Sequence, residues 1–145
     1  MTTRDSHAQQ VSEAVVALMS AAAHITRDLN VVCEKHGITH DQYNVLRILR
    51  GVHPEGHPRV EIASRLISRA PDVTRMLDRL ERRGLVRRGW HPGNRRLSIA
   101  SVTRNGLALL EEVDVEIAEV QARFTEAVST SDLQQLRRIC RGLTG

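Results

Sequence analysis

Arg69, Asp72, Arg75 and Arg79 recur three or four positions apart, in a stretch that also carries Ser68, Pro71 and Thr74. On a helix that spacing puts the four charged side chains on one side, opposite an apolar stripe at Ala70, Val73, Leu77 and Leu80. Arginine forks suit phosphate oxygens or the N7 and O6 edge of guanine. Asp72 suits either a cytosine amino group or a neighbouring arginine three residues away, Arg69 or Arg75. Asn94, Arg95 and Arg96 make a second polar and basic knot beside Pro92 and Gly93. For Arg79, Arg82 and Arg83, phosphate contact and plain surface solubility stand level.

The charge of the chain is gathered around these residues. Residues 59–104 hold 12 arginines against four acids, a net charge of +8, whereas residues 1–58 and 105–145 stand at −1 and −3. An acidic frame around a basic centre is the footprint of a surface that meets a polyanion, nucleic acid or an anionic membrane; a solvated basic face is the plainer alternative. The basic side is almost all arginine, with Lys35 the lone lysine. Tyr43, Trp90 and Phe124 are the whole aromatic complement, too few for the stacking platforms that hold single strands.

At 145 residues the chain has the length of one domain, or of one domain with an added dimerisation layer. No run approaches the roughly 20 apolar residues of a membrane span, and MTTRDSHAQQ lacks the basic-then-apolar layout of a secretory signal, so a cytoplasmic protein without a membrane partner is expected. Phosphate-binding loops, G-x-S-x-G, HExxH and dinucleotide fingerprints are absent, which argues against an enzyme and against a cofactor.

The elements that must position the basic residues follow from periodicity. Val11, Val15, Leu18, Ala22, Ile25, Leu29 and Val32 alternate in steps of four and three along one long helix ended by Gly37, a seam that suits packing against a second chain. Thr39 and Gln42 make a capping box for a short helix with Tyr43, Leu46 and Leu49 inward, broken at Gly51 and HPEGHP. Val60, Ile62, Ala63 and Leu66 mark another helix, joined through residues 67–69 to a helix with Pro71 in its first turn and Gly84 beyond its end: a helix-turn-helix. Leu85–Trp90 and Leu97–Val102 read as a hairpin with a basic tip at His91–Arg96. Thr103 caps a long helix through Leu107, Leu110, Val113, Ile117, Val120, Phe124 and Val128, and Ser131 with Gln134 opens a last one. The fold class is mostly α with a small β-hairpin wing, divided into residues 1–37 (dimerisation helix), 38–104 (winged helix-turn-helix) and 105–145 (dimerisation helices).

The run APDVTRMLDRLERRGLVRR, followed by PGNRRLSIASVTRNGLALLEEV, resembles the MarR family of winged-helix transcriptional regulators, over Thr39 to about Val113. The resemblance implies an obligate homodimer in which the terminal helices intertwine, with one winged module on each side reading a pseudo-palindromic operator in double-stranded DNA. The family's wing motif is Asp, any residue, Arg, five residues, then Leu-Thr. Here it is Asn94, Arg95, Arg96, LSIAS and Val102-Thr103, so Arg96 takes the place of the minor-groove arginine. Asn94 replaces the usual Asp, so an ion pair to that arginine must become a neutral hydrogen bond. The family also implies a pocket for a small aromatic or phenolic effector between dimerisation helices and winged module, near His24, His40 and Tyr43.

Other chemistries compete. Cys33, His36 and His40, or His53 and His57, have ligand-like spacing, but the break at Gly37 works against convergence and no metal is expected. Cys33 is the candidate for a redox sensor, with Lys35 and His36 giving weak support to a thiolate; Cys140 reads as a core residue. The reading is a dimeric, ligand-responsive repressor, with a redox-responsive or metal-responsive regulator, or a helical protein-interaction module, as alternatives.

Overall fold

In the computed structural model, which describes residues 3–69 and 72–145, Thr3–Lys35 form one helix of 33 residues, α1. It stops where Gly37 takes a φ of +75°, with the amides of His36, Gly37 and Ile38 returning to the carbonyls of Cys33, Glu34 and Cys33 at 3.0, 3.0 and 3.2 Å. The remaining elements are α2 (His40–Arg50), β1 (His57–Pro58), α3 (Arg59–Arg65), α4 (Val73–Arg82), β2 (Val86–His91), β3 (Asn94–Val102), α5 (Arg104–Ala127) and α6 (Thr130–Thr144).

Caps set these boundaries. Thr39 Oγ1 accepts the Gln42 amide at 3.1 Å while Gln42 Oε1 accepts the Thr39 amide at 2.9 Å, the reciprocal box expected for α2. Thr103 Oγ1 accepts the Gly106 amide at 3.1 Å and opens α5. For α6 the cap is Ser129, which accepts the Asp132 amide at 3.2 Å, and not Ser131, which lies inside the helix. Val128 has already left helical geometry at φ −134°, so the first available hydroxyl captures the free amide.

The strands differ from expectation in two ways. Besides the β2–β3 hairpin, His57–Pro58 pair antiparallel with β3, opposite Ala100 and Ile99, giving the order β1-β3-β2. Two residues carry no detectable period, so HPEGHP reads as a breaker alone. Gly56 permits the approach, because a Cβ there would stand 2.1 Å from the Ala100 carbonyl oxygen. The hairpin also runs further than Leu97: β3 begins at Asn94, leaving Pro92 and Gly93 as the turn.

One buried cluster runs from Val32 and Cys33 of α1 through α2, α3, α4 and the sheet to Val120 of α5. The earlier turns of α1 lie outside it. Val11 and Val15 are each 49% exposed and Leu18 is 40% exposed. By length and composition α1 is apolar enough to cross a membrane, which corrects the expectation that no segment is; the alanines between its seam positions add to that apolarity. Arg27 and Asp28 interrupt its C-terminal half.

Candidate nucleic-acid interface

Helix α4 buries Val73, Met76, Leu77 and Leu80 and exposes Thr74, Arg75, Arg79 and Arg82. Its start lies later than the sequence suggests. Asp72 is the N-cap, its Oδ1 accepting the Arg75 amide at 3.1 Å, so its first commitment is to the helix end and not to a base edge. Asp72 Oδ2 also stands 3.9 Å from Arg75 Nε, an exposed pair that biases the direction of the Arg75 fork. Ser68 is half-buried and Arg69 exposed; Pro71, expected in the first turn, lies outside the described residues, as does Ala70.

Arg88 on β2 fastens the helix to the hairpin. Its Nη1 lies 2.7 Å from Asp78 Oδ1, its Nη2 donates to the Thr74 carbonyl at 3.1 Å, and its amide donates to Glu81 Oε2 at 3.1 Å. Three contacts from one residue fix the sheet against the first, middle and last turns of α4, so helix and wing present themselves as one body.

At the far end of the hairpin Asn94, Arg95 and Arg96 are exposed, and Asn94 Oδ1 accepts the Arg96 main-chain amide at 3.0 Å. The expected neutral hydrogen bond is therefore spent on the backbone. It shapes the turn and leaves the Arg96 guanidinium unsteadied by Asn94. His91 Nδ1 accepts the Gly93 amide at 3.0 Å on the other side of the same turn. Arg83 departs from both readings made of it, since its guanidinium donates to the carbonyls of Gly37 and His36 at the end of α1.

The residues proposed for an effector pocket divide. His40 borders a cleft of about 360 Å³ between the α1–α2 junction and α4, with Asn30, Glu34 and Arg79 among its walls. Burial lowers the His40 pKa against the opposing charge of Asp41, with Arg47 adding to the lowering, which favours the neutral imidazole. The Tyr43 ring stacks with it at 6.2 Å between centroids, but its hydroxyl points to α5 and donates to Asp114. His24 joins neither; it is exposed on α1, 3.5 Å from Asp28.

Cys33 is fully buried, and burial, then the charge of Glu34, pushes its thiol up to about 11. A thiol so held is a poor thiolate source, which argues against the redox alternative. His36 turns instead to α5, its Nε2 2.8 Å from Glu116 Oε2. Among the described residues no group of three or more His, Cys, Asp or Glu side chains is placed to hold a metal ion. Cys140, read as core, is only half-buried and lines an apolar groove with residues of α1 and α6.

The roles of Arg83, Arg88 and Asp114 were missed. Arg83 and Gly37 are 46 positions apart and Tyr43 and Asp114 are 71 apart, so no local spacing announces either contact.

A helix-turn-helix clamped to an antiparallel hairpin with an exposed basic tip defines a winged-helix DNA-binding protein. The model described as the MarR family matches residues 38–98. The uncharacterised helix-turn-helix transcriptional regulator YhbI of Bacillus subtilis (strain 168) is 33% identical over 117 residues, 80% of this chain and 74% of that protein. The crystal structure of a MarR transcription factor from Planctomyces limnophilus is 34% identical, with a TM-score of 0.70 over 90% of this chain and 94% of the other. The transcriptional repressor CouR, solved bound to a 23-mer DNA duplex, is 30% identical with a TM-score of 0.78, covering 89% of this chain and 90% of its own. The chain belongs to the MarR family; it is a transcriptional regulator and not an enzyme.

Proposed function

We propose that two copies of this chain bind a pseudo-palindromic operator and repress the adjoining gene until a small effector releases them. The observation that carries this reading is the juxtaposition of the exposed Arg75 side of α4 and the Asn94–Arg96 tip, held as one body by Arg88. In that arrangement the start of α4, with Asp72, Thr74 and Arg75, enters the major groove, whose width of roughly 12 Å admits a helix, and Ser68 and Arg69, expected on that helix but standing in the connection before it, lie alongside. Arg96 then reaches the neighbouring minor groove, and Arg79 stands further back. The similarity to a DNA-bound repressor supports the same docking.

Dimerisation uses residues 1–37 and 105–145, with 38–104 as the reading module. Val11, Val15 and Leu18 of α1 and Leu136, Ile139 and Leu143 of α6 line an open apolar groove of about 560 Å³. A second copy covers it, which removes those side chains from water. Effector binding is assigned to the cleft beside His40, with the Tyr43 ring packed behind that imidazole. The effector acts only if it prefers the DNA-incompetent state, because equal affinity shifts no population.

Selection from a random duplex pool, followed by titration of the enriched sites, tests the reading. Inverted repeats with half-site centres about 10 base pairs apart are expected. Binding without sequence preference would return the protein to the class of interaction modules. Sedimentation at nanomolar concentration tests the dimer, and a folded monomer there overturns it.

A further inference from the structure

Arg83 ends α4, its amide still bonded to the Arg79 carbonyl at 3.3 Å, yet its side chain belongs to a different part of the molecule. Nη1 donates to the Gly37 carbonyl, and Nη2 lies 3.5 Å from the His36 carbonyl. Both acceptors stand at the end of α1, where carbonyl groups lack helical partners and a cation meets the favourable end of the helix dipole. The left-handed turn at Gly37 leaves space for the guanidinium, since a Cβ there would stand 3.3 Å from Nη2. From the other side the same turn is held by α5, through His36 Nε2 on Glu116 at 2.8 Å and Nδ1 at 3.9 Å from Glu112.

The two-residue turn is thus gripped by the reading helix and by the long helix α5. The turn also borders the cleft beside His40, which opens between the α1–α2 junction, with Glu34 and Thr39, and α4, with Met76 and Arg79. We propose that Arg83 is a positioning residue for DNA reading: it makes no contact with DNA and fixes the angle and spacing of α4 against the α1–α5 frame. The proposal rests on the dimeric DNA-reading function above. A protein without this fork keeps its reading surface but loses the rule that sets the distance between its two copies of α4.

A phosphate contact and a latch leave different marks. If Arg83 touches phosphate, its loss from both protomers lowers the slope of log K against log salt by about 1.8, at about 0.9 per contact. As a latch, Arg83→Ala weakens binding to the best operator by about five- to twentyfold, because the freed reading head must be ordered when DNA binds, with the slope unchanged. Operators with one base pair added or removed between half-sites then bind almost as well as the best one, whereas the unaltered protein rejects them. Arg83→Gln, a neutral donor able to reach one carbonyl, recovers part of the affinity; a phosphate contact gains little from it. In the DNA-free protein, amides of residues 79–84 exchange hydrogen faster in Arg83→Ala while those of α5 do not change.

A slope reduced by about 1.8, or an unaltered spacing preference, overturns the proposal. So does unaltered exchange at residues 79–84. If the unsubstituted protein selects no duplex at all, the DNA-reading function itself fails, and the exchange measurement still judges the latch.

Discussion

The hydroxyl of Tyr43 on α2 donates a 2.5 Å hydrogen bond to Asp114 on α5, whose second oxygen takes a 2.6 Å contact from Arg50 Nη1. Elements on either side of the helix-turn-helix and the hairpin are thereby joined at one carboxylate. Burial, reinforced by Asp114, pushes the Tyr43 phenol above its ordinary range, so it stays a donor. Burial alone would raise Asp114, but the bonds from Tyr43 and Arg50, with the charges of Arg50 and Arg47, outweigh it and hold the carboxyl below the usual range.

A carboxylate depressed in the folded state contributes stability that is complete above its unfolded pKa, near 3.9, and is lost as pH falls through the native value. Tyr43→Phe is expected to lower stability at neutral pH by about 1 kcal/mol, because the site is partly solvated. The deficit should shrink once Asp114 is protonated. Thermal midpoints of both proteins from pH 7 down to about pH 1.5 check this, since the change falls below the ordinary carboxylate range, and a deficit constant over that whole span would show that the phenol does not hold the carboxylate.

Gly106, in the first turn of α5, has no room for a side chain. A Cβ there would stand 2.3 Å from the Leu85 carbonyl oxygen and 2.7 Å from Val102 Cγ2, so Gly106→Ala forces backbone apart and should cost about 3 kcal/mol. Gly142 in α6 has nothing within 4 Å of the same position, and Gly142→Ala should gain about 0.5 to 1 kcal/mol of helix stability. Denaturant titrations of the pair measure both, and similar midpoints would refute the packing argument.

Cys33 should resist thiol reagents at pH 8 in the folded protein and react only after denaturation, since it is fully buried and its thiol is pushed up to about 11. Mass spectrometry after timed alkylation reads this directly. Millimolar peroxide should leave operator affinity within about twofold, because no thiolate is available to oxidise. Rapid labelling of Cys33 would restore the redox alternative.

The proposed docking, with Arg75 in the major groove and Arg96 in the minor, is tested by substituting each. Arg75→Ala should cost about 1 to 3 kcal/mol at one position of each half-site and relax the preference there. Arg96→Ala should weaken all good sites with little change in their preferred sequence, because minor-groove readout is degenerate. Affinities across single-base operator changes decide it. If Arg96→Ala rewrites the preferred bases while Arg75→Ala scales every affinity alike, the assignment of groove to element is reversed.

Local signals carried the helices well. The Thr39–Gln42 box, the stop at Gly37 and the Thr103 cap appear where short-range chemistry places them, because each needs only neighbours within four residues. The apolar stripe of α4 was equally legible, since Val73, Leu77 and Leu80 repeat at helical spacing. Its first turn was not, as Asp72 competes for the helix start by capping and the stripe does not register that. β1 escaped notice because two residues have no period and their pairing is decided by Ala100, more than forty positions away. The side-chain contacts of Arg83, Arg88 and Asp114 with distant elements belong to tertiary structure alone. Composition drew attention to a basic centre but gave no means of telling which arginines hold the protein together.

The groove between α1 and α6 bears on the order in which the protein is made. Val11 to Ala21 line it from one side and Leu136 to Leu143 from the other, so the two walls leave the ribosome more than a hundred residues apart. During that interval an amphipathic helix has neither its own chain's final helix nor a second copy to lie against. Translation speed and local chaperone supply therefore bear more heavily on the yield of this regulator than on that of its reading module, whose helix-turn-helix and hairpin are completed from neighbouring sequence.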